Sequence, residues 1–268
     1  MQRKYILFII SALLFASCTK VIDVDLNDAS PMIVVDASVD SYDNVIKTDQ
    51  NVWVKVSWSS SYFENNTPTP IDDASLAVIN ANGDRFDLVH SATGRYYANI
   101  PADKRSKEWK LEGLIEGKEF KSNTQIPNYV AIDSILAAKL PFGPPKEGLT
   151  PIVFFTDIAG EENYYRMKIW INDTLYNKLY ITRDDGFDGK QIAYPFMRLQ
   201  LKPNDKFRVE LLCIDEFSLD YYKVFAMNTG GGGFSAAPGN PLSNIDGEGM
   251  IGIFTGQTSS WATRIVGQ

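Results

Sequence analysis

Few residues in this chain are equipped for nucleophilic or acid–base chemistry. Its 268 residues include one histidine, His90, and two cysteines, Cys18 and Cys213. A nucleophile–histidine–acid set would have to use His90. That residue closes the short run Asp87-Leu88-Val89-His90-Ser91 beside a turn, where a solvated loop histidine is the plainer reading. No HExxH or CxxC is present, so the sequence offers no zinc set. Cys213 shares the apolar parity of Phe207, Val209 and Leu211, which reads as a small buried hydrophobe. No residue is assigned a catalytic role.

Carboxylates and aromatics are the remaining options. Asp72-Asp73, Glu161-Glu162 and Asp184-Asp185 are adjacent pairs, and neighbours on an extended chain point to opposite faces. The segment from Arg183 to Gly189 gathers Asp184, Asp185 and Asp188 with two glycines into one tight loop. Calcium takes oxygen ligands from loops of this kind, although the spaced D-x-D-x-D-G order is missing. A structural turn is the first reading, a calcium site on Asp184, Asp185 and Asp188 the second, and a carboxylate-based hydrolase the third. Aromatic residues make up 12% of the chain. Trp58, Tyr62 and Phe63, at the start of a Ser/Asn/Thr/Pro-rich loop, form a candidate platform for a glycan, a peptide or another small molecule. The run Gly230 to Gly233 follows a helical pattern and lacks a Gly-Lys-Ser/Thr, which excludes a phosphate loop.

Cys18 has a different chemistry. Met1-Gln2-Arg3-Lys4 is basic, Tyr5 to Phe15 is almost wholly apolar, and Ala16-Ser17 is small. This is the three-part plan of a signal peptide over residues 1–17. Phe15-Ala16-Ser17-Cys18 resembles a bacterial lipobox, in which the cysteine is acylated and becomes the new N-terminus. The expected product is a membrane-attached protein held by the acyl chains on Cys18, with residues 18–30 as an acidic tether. Losing Arg3 and Lys4 moves the net charge from −7 to −9. That balance gives no footprint for nucleic acid. With Cys18 acylated, Cys213 has no disulfide partner, so the folded body must rely on a packed core.

The elements that would position these residues are nearly all strands. Val52, Val54, Val56 and Trp58 share one parity and Lys55 and Ser57 the other, the pattern of a half-buried strand. Asn82-Gly83, Thr93-Gly94 and Glu116-Gly117 punctuate short strands as turns. Between Tyr165 and Ile171 the odd positions are apolar, while Arg166 and Lys168 point the other way. Strands are also expected at 175–182, 196–201, 250–255 and 263–266. Glu216 to Asn228 changes to helical spacing and is the one helix expected after the signal. The expected fold is all-β: two β-sandwich-like domains, the first immunoglobulin- or fibronectin-like, with one helix in the C-terminal domain. Residues 31–127 form the first domain, 128–150 a linker, and 151–268 the second, which includes a Gly/Pro-rich segment.

Several blocks, in order, carry a family resemblance. They are the lipobox followed by Lys20-Val21-Ile22-Asp23-Val24-Asp25-Leu26, then Gly94-Arg95-Tyr96-Tyr97, Trp109-Lys110-Leu111, Gly117-Lys118-Glu119-Phe120 and Ile132-Asp133-Ser134-Ile135. Tyr221-Tyr222, Pro238-Gly239-Asn240-Pro241, Ser243-Asn244-Ile245 and Gly249-Met250-Ile251-Gly252-Ile253-Phe254 complete the series. Together they resemble a Bacteroidetes outer-membrane lipoprotein family, domain of unknown function 4249. The resemblance implies an all-β protein anchored in the outer membrane, on its periplasmic or its outer face, without assigned catalytic residues or cofactor. It also implies partnership with a TonB-dependent transporter in nutrient uptake.

Overall fold

Alternation along β2 (Gln50–Trp58) sets the first layer: Val52, Val54 and Val56 are buried and Trp53 and Lys55 exposed. The computed structural model describes residues 30–42, 50–60, 67–141, 148–229 and 241–267. The sequence assignments at the signal peptide and Cys18, at Tyr62 and Phe63, and at the glycine run 230–233 lie outside these residues.

The other strands of the N-terminal half are β1 (Ile33–Tyr42), β3 (Ala74–Asn80), β4 (Arg85–Asp87), β5 (Val89–Ala92), β6 (Arg95–Ile100), β7 (Glu108–Ile115) and β8 (Lys118–Gln125). After these come β9 (Ile132–Ala138), β10 (Thr150–Thr156), β11 (Tyr164–Ile171), β12 (Thr174–Leu175), β13 (Tyr180–Arg183), β14 (Gln191–Pro195) and β15 (Lys206–Ile214). Helix α1 (Glu216–Thr229), β16 (Asp246–Gly247) and β17 (Met250–Ile265) close the chain.

The first core lies between two sheets. β1, β2 and β6 supply Ile33, Val35, Val54, Tyr96 and Ile100 from one side. From the other, β3, β7 and β8 supply Leu76, Val78, Trp109, Leu111 and Phe120. The facing sheet runs β16-β8-β7-β3-β4. Three strands against the β8-β7-β3-β4 set is the layout of immunoglobulin- and fibronectin-type sandwiches. The second core lies between β11 and β15 on one side and the three-stranded sheet β14-β10-β9 on the other. Tyr165, Met167 and Ile169 face inward on β11, as their parity requires. Cys213 belongs to this core, and burial pushes its thiol up to about 11.

One sheet serves both cores. Its order is β12-β11-β15-β17-β1-β2-β6-β5, with β13 also paired to β11. β17, 16 residues long, pairs in parallel with β1 and antiparallel with β15. Its Met250 and Phe254 enter the first core, and Ala262 packs on the second. Residues 31–268 therefore form one compact unit with two hydrophobic centres. Residues 128–150, read as a linker, contain β9, whose Ile135 is buried in the second core. The two closing strands expected at 250–255 and 263–266 are one continuous strand. The stretch 196–201 is not a strand: Phe196, Leu199 and Leu201 plug the second core from a turned segment.

The helix lies on the outer face of the large sheet. Asp215 Oδ1 accepts the Ser218 N–H at 2.7 Å, the contact of an N-cap. Leu219 then packs with Leu212 and Ile214 of β15, beside Tyr164, Ile181 and Tyr222.

Candidate functional site

The carboxylate loop is built differently from its sequence reading. Asp185 forms an ion pair with Arg183 and leaves the group. Its place is taken by Asp157, just past the end of β10, so that one carboxylate oxygen from each of Asp157, Asp184 and Asp188 lies within 4.8 Å of the others. The reason is the backbone: consecutive residues Asp184 and Asp185 diverge, and Asp157 arrives from the neighbouring strand end. No local signal in the sequence marks Asp157 as the third member, because its approach depends on sheet pairing.

Asp157 is buried, and both its oxygens are engaged. The Tyr165 hydroxyl donates to Oδ1 and the Gly189 N–H donates to Oδ2 at 3.0 Å. Turned to satisfy both its ends, the Asn163 amide donates to Asp157 Oδ1 and to the Ile158 carbonyl, each at 3.1 Å. Burial, with Asp157 adding, pushes the Tyr165 phenol far above its ordinary value, so it acts as a donor throughout the working pH range. Asp184 Oδ2 accepts the Asn163 N–H at 3.3 Å and Asp188 Oδ1 accepts the Gly160 N–H at 2.7 Å. These oxygens suit a hard cation such as calcium. The contacts they make lace the 157–163 loop to the 183–190 loop.

His90 sits on the exposed edge strand β5, with Nε2 2.9 Å from Asp72 Oδ1 and its ring 5.2 Å from that of Tyr96. Asp72 also accepts the Gly94 N–H at 2.5 Å. The Gly94 N–H first, and His90 second, hold the Asp72 carboxyl below its ordinary value. A carboxylate with a depressed folded value stabilises the fold above its unfolded value, near 3.8, and that contribution disappears as pH falls through the lower folded value. We therefore expect Asp72→Asn to leave the unfolding midpoint near neutral pH little changed in its pH slope. It should flatten the acid-side loss of stability below about pH 4, as followed by urea titrations across pH.

Trp58 does not form an open platform. It continues the buried parity of Val52, Val54 and Val56, stands opposite Ile33 and packs against the first core. The accessible pair is Trp53 with Tyr97, directly opposed on β2 and β6, 45% and 39% exposed. Their ring centroids are 5.6 Å apart with planes at 30°. The alternation that buries Val52 and Val54 is the sequence signal for Trp53, since the residue between them must face outward.

Among curated proteins none matches the chain at a significant level. Of the solved structures it is similar to, a DUF4785 family protein from Legionella pneumophila shares 12% identity over 69% of this chain and 53% of that one, with a TM-score of 0.25. The chain thus spans about half the length of that protein. A two-domain fibronectin type III segment of chicken tenascin shares 12% identity over 69% of this chain and 91% of that one, with a TM-score of 0.20. A bacterial ice-binding adhesin shares 10% over 90% and 65%, with a TM-score of 0.24. At such scores the fold rests on the strand order itself. The family model named Domain of unknown function (DUF4249) matches residues 19–262, and the chain belongs to that family.

Proposed function

We propose that this protein is a lipid-anchored outer-membrane protein that serves, without catalysis of its own, as an accessory or ligand-capture partner of a TonB-dependent transporter. The observation that carries the reading is the order basic start, apolar run, small pair and Cys18 ahead of an acidic tether. Two or more acyl chains on that thiol give stable attachment where a single chain does not. The family-wide resemblance of the blocks around Gly94 and Gly249 supports the same address and the transporter partnership.

Cys18→Ser tests the anchor. The parent chain is expected in the membrane pellet, with a mass matching an acylated terminus. The variant is expected to show no acyl mass, because the thiol that carries the chains is gone. A parent found wholly in the aqueous phase, or with an unmodified terminus, defeats the reading. Partnership is tested by purification in mild detergent, where a tagged chain should bring down a large barrel protein. The exposed Trp53–Tyr97 pair favours a second reading, a surface module that binds glycan or peptide on its own. Membrane attachment with ligand retention but no co-purifying barrel selects that one.

A further inference from the structure

The outer face of the nine-stranded sheet carries an ordered patch that neither core nor the loop carboxylates require. In its middle row Tyr97, Trp53 and Ser38 stand side by side on β6, β2 and β1. One row along, Asn99, Asn51 and Asp40 lead to Gln257 on β17. On the other side, Arg95, Lys55 and Asp36 make the third row. Strand spacing and rise give this patch a span of about 14 Å by 14 Å, the footprint of two or three sugar rings.

We propose that this face binds a neutral saccharide, with the Trp53–Tyr97 pair as the stacking surface and the flanking amide and charged side chains as hydrogen-bonding groups for its hydroxyls. This rests on the ligand-capture reading and names the ligand class.

Three observations support it. The patch is chemically mixed in the way a polyhydroxyl ligand needs: apolar ring faces for C–H surfaces, planar amides and carboxylates for adjacent hydroxyls. Asn99 Nδ2 donates to Asn51 Oδ1 at 3.1 Å, which orients that amide pair. Charge is balanced, Lys55 and Arg95 against Asp36 and Asp40, so the face favours neither an anion nor a cation.

The second observation is Gln257. It is only 7% exposed, its Nε2 donates to Asp40 Oδ1 at 2.6 Å, and its Oε1 has no partner. A buried acceptor left without a donor calls for a reason. The Oε1 atom is closed to solvent, so what Gln257 adds to this face is the fixed position of the Asp40 carboxylate and not a direct contact with a ligand. The third is Asp36, which is exposed in the third row with Lys55 and Arg95, where its carboxylate can accept hydrogen bonds from ligand hydroxyls. A peptide is the weaker fit, because strand addition uses an open sheet edge and β1 and β2 are interior strands.

The test is native electrophoresis of the full chain through gels containing neutral polysaccharides: a glucan, a mannan, a galactan and a xylan. At least one should retard the parent chain. Trp53→Ala and Tyr97→Ala should each weaken retention about tenfold or more, and Asp36→Asn should weaken it as well. Trp261→Ala should not, although Trp261 is 68% exposed, because it lies six residues along β17 from Thr255 in the central row. Retention by no neutral polysaccharide, retention by charged ones alone, or retention that survives Trp53→Ala with Tyr97→Ala overturns the proposal. Membrane fractionation of the same variants should be unchanged. A failure there, or in Cys18→Ser, bears on the anchor and not on this face.

Discussion

Gly252→Ala is expected to cost more than about 4 kcal/mol, enough to abolish cooperative unfolding or soluble expression. Gly252 has φ +140°, a backbone region that only glycine adopts without strain. Position adds the larger penalty. A Cβ there would overlap the Val35 carbonyl oxygen and sit 2.7 Å from its carbon and 2.9 Å from the Val35 nitrogen. Those are backbone atoms of the partner strand, since Val35 and Gly252 are paired in the parallel β1–β17 ladder. No rotamer change can relieve the clash; the two strands must separate. They lie at the centre of the sheet that joins both cores, so separation exposes both. Gly83→Ala is the control: its φ is +85° but nothing lies within 4 Å of the added carbon. It should cost only the left-handed backbone penalty of about 1–2 kcal/mol. Urea midpoints of the two variants measure the difference, and equal midpoints would mean that β1 and β17 do not approach as closely as their register requires.

The same ladder explains what the sequence could not show. Alternation made the β2 and β11 faces readable, and the turn dipeptides located the hairpins of the first sandwich. Thr255 to Ser260 carries no such signal, because it is polar and yet buried. A distant segment satisfies part of it: Thr124 Oγ1 accepts the Gly256 N–H at 2.6 Å, and the Ser260 hydroxyl donates to the Val130 carbonyl at 3.0 Å. A stretch that passes between two cores is lined by backbone and not by apolar side chains, so it reads as a gap between two strands. The carboxylate cluster is legible only in part, for a related reason. Asp184 and Asp188 are close along the chain, whereas Asp157 joins them only once β10 is laid beside β14. Trp58 is the opposite case: the parity it shares with Val52, Val54 and Val56 points it inward, whatever its nearness in sequence to Tyr62 and Phe63.

Tyr96→Phe is expected to lower stability by about 2–3 kcal/mol, a large loss for the removal of one oxygen. Tyr96 is 1% exposed and its hydroxyl works in both directions. It donates to the Ile71 carbonyl and accepts the Ala74 N–H, each at 3.0 Å. Phenylalanine keeps the ring and leaves two backbone groups without their partner, and unsatisfied buried groups cost more than the bond itself contributed. Burial first among its causes raises the Tyr96 phenol, so it stays protonated and the effect should not vary with pH near neutrality. Tyr97→Phe, one residue on, should change stability by no more than about 0.5 kcal/mol, because its side chain is exposed on the opposite face. Urea unfolding separates the two, and amide exchange at Ala74 should quicken only in Tyr96→Phe. The contrast also bears on the outer face. Tyr96 ties β6 to the 71–74 segment that leads into β3, which holds the strand in place while its neighbour Tyr97 points outward. Tyr96→Phe protein that remains folded should therefore still present Trp53 and Tyr97 and keep its polysaccharide retention, whereas Tyr97→Ala should lose retention at nearly full stability. If both variants lost retention in proportion to their stability, the aromatic pair would be part of the scaffold and not a binding surface.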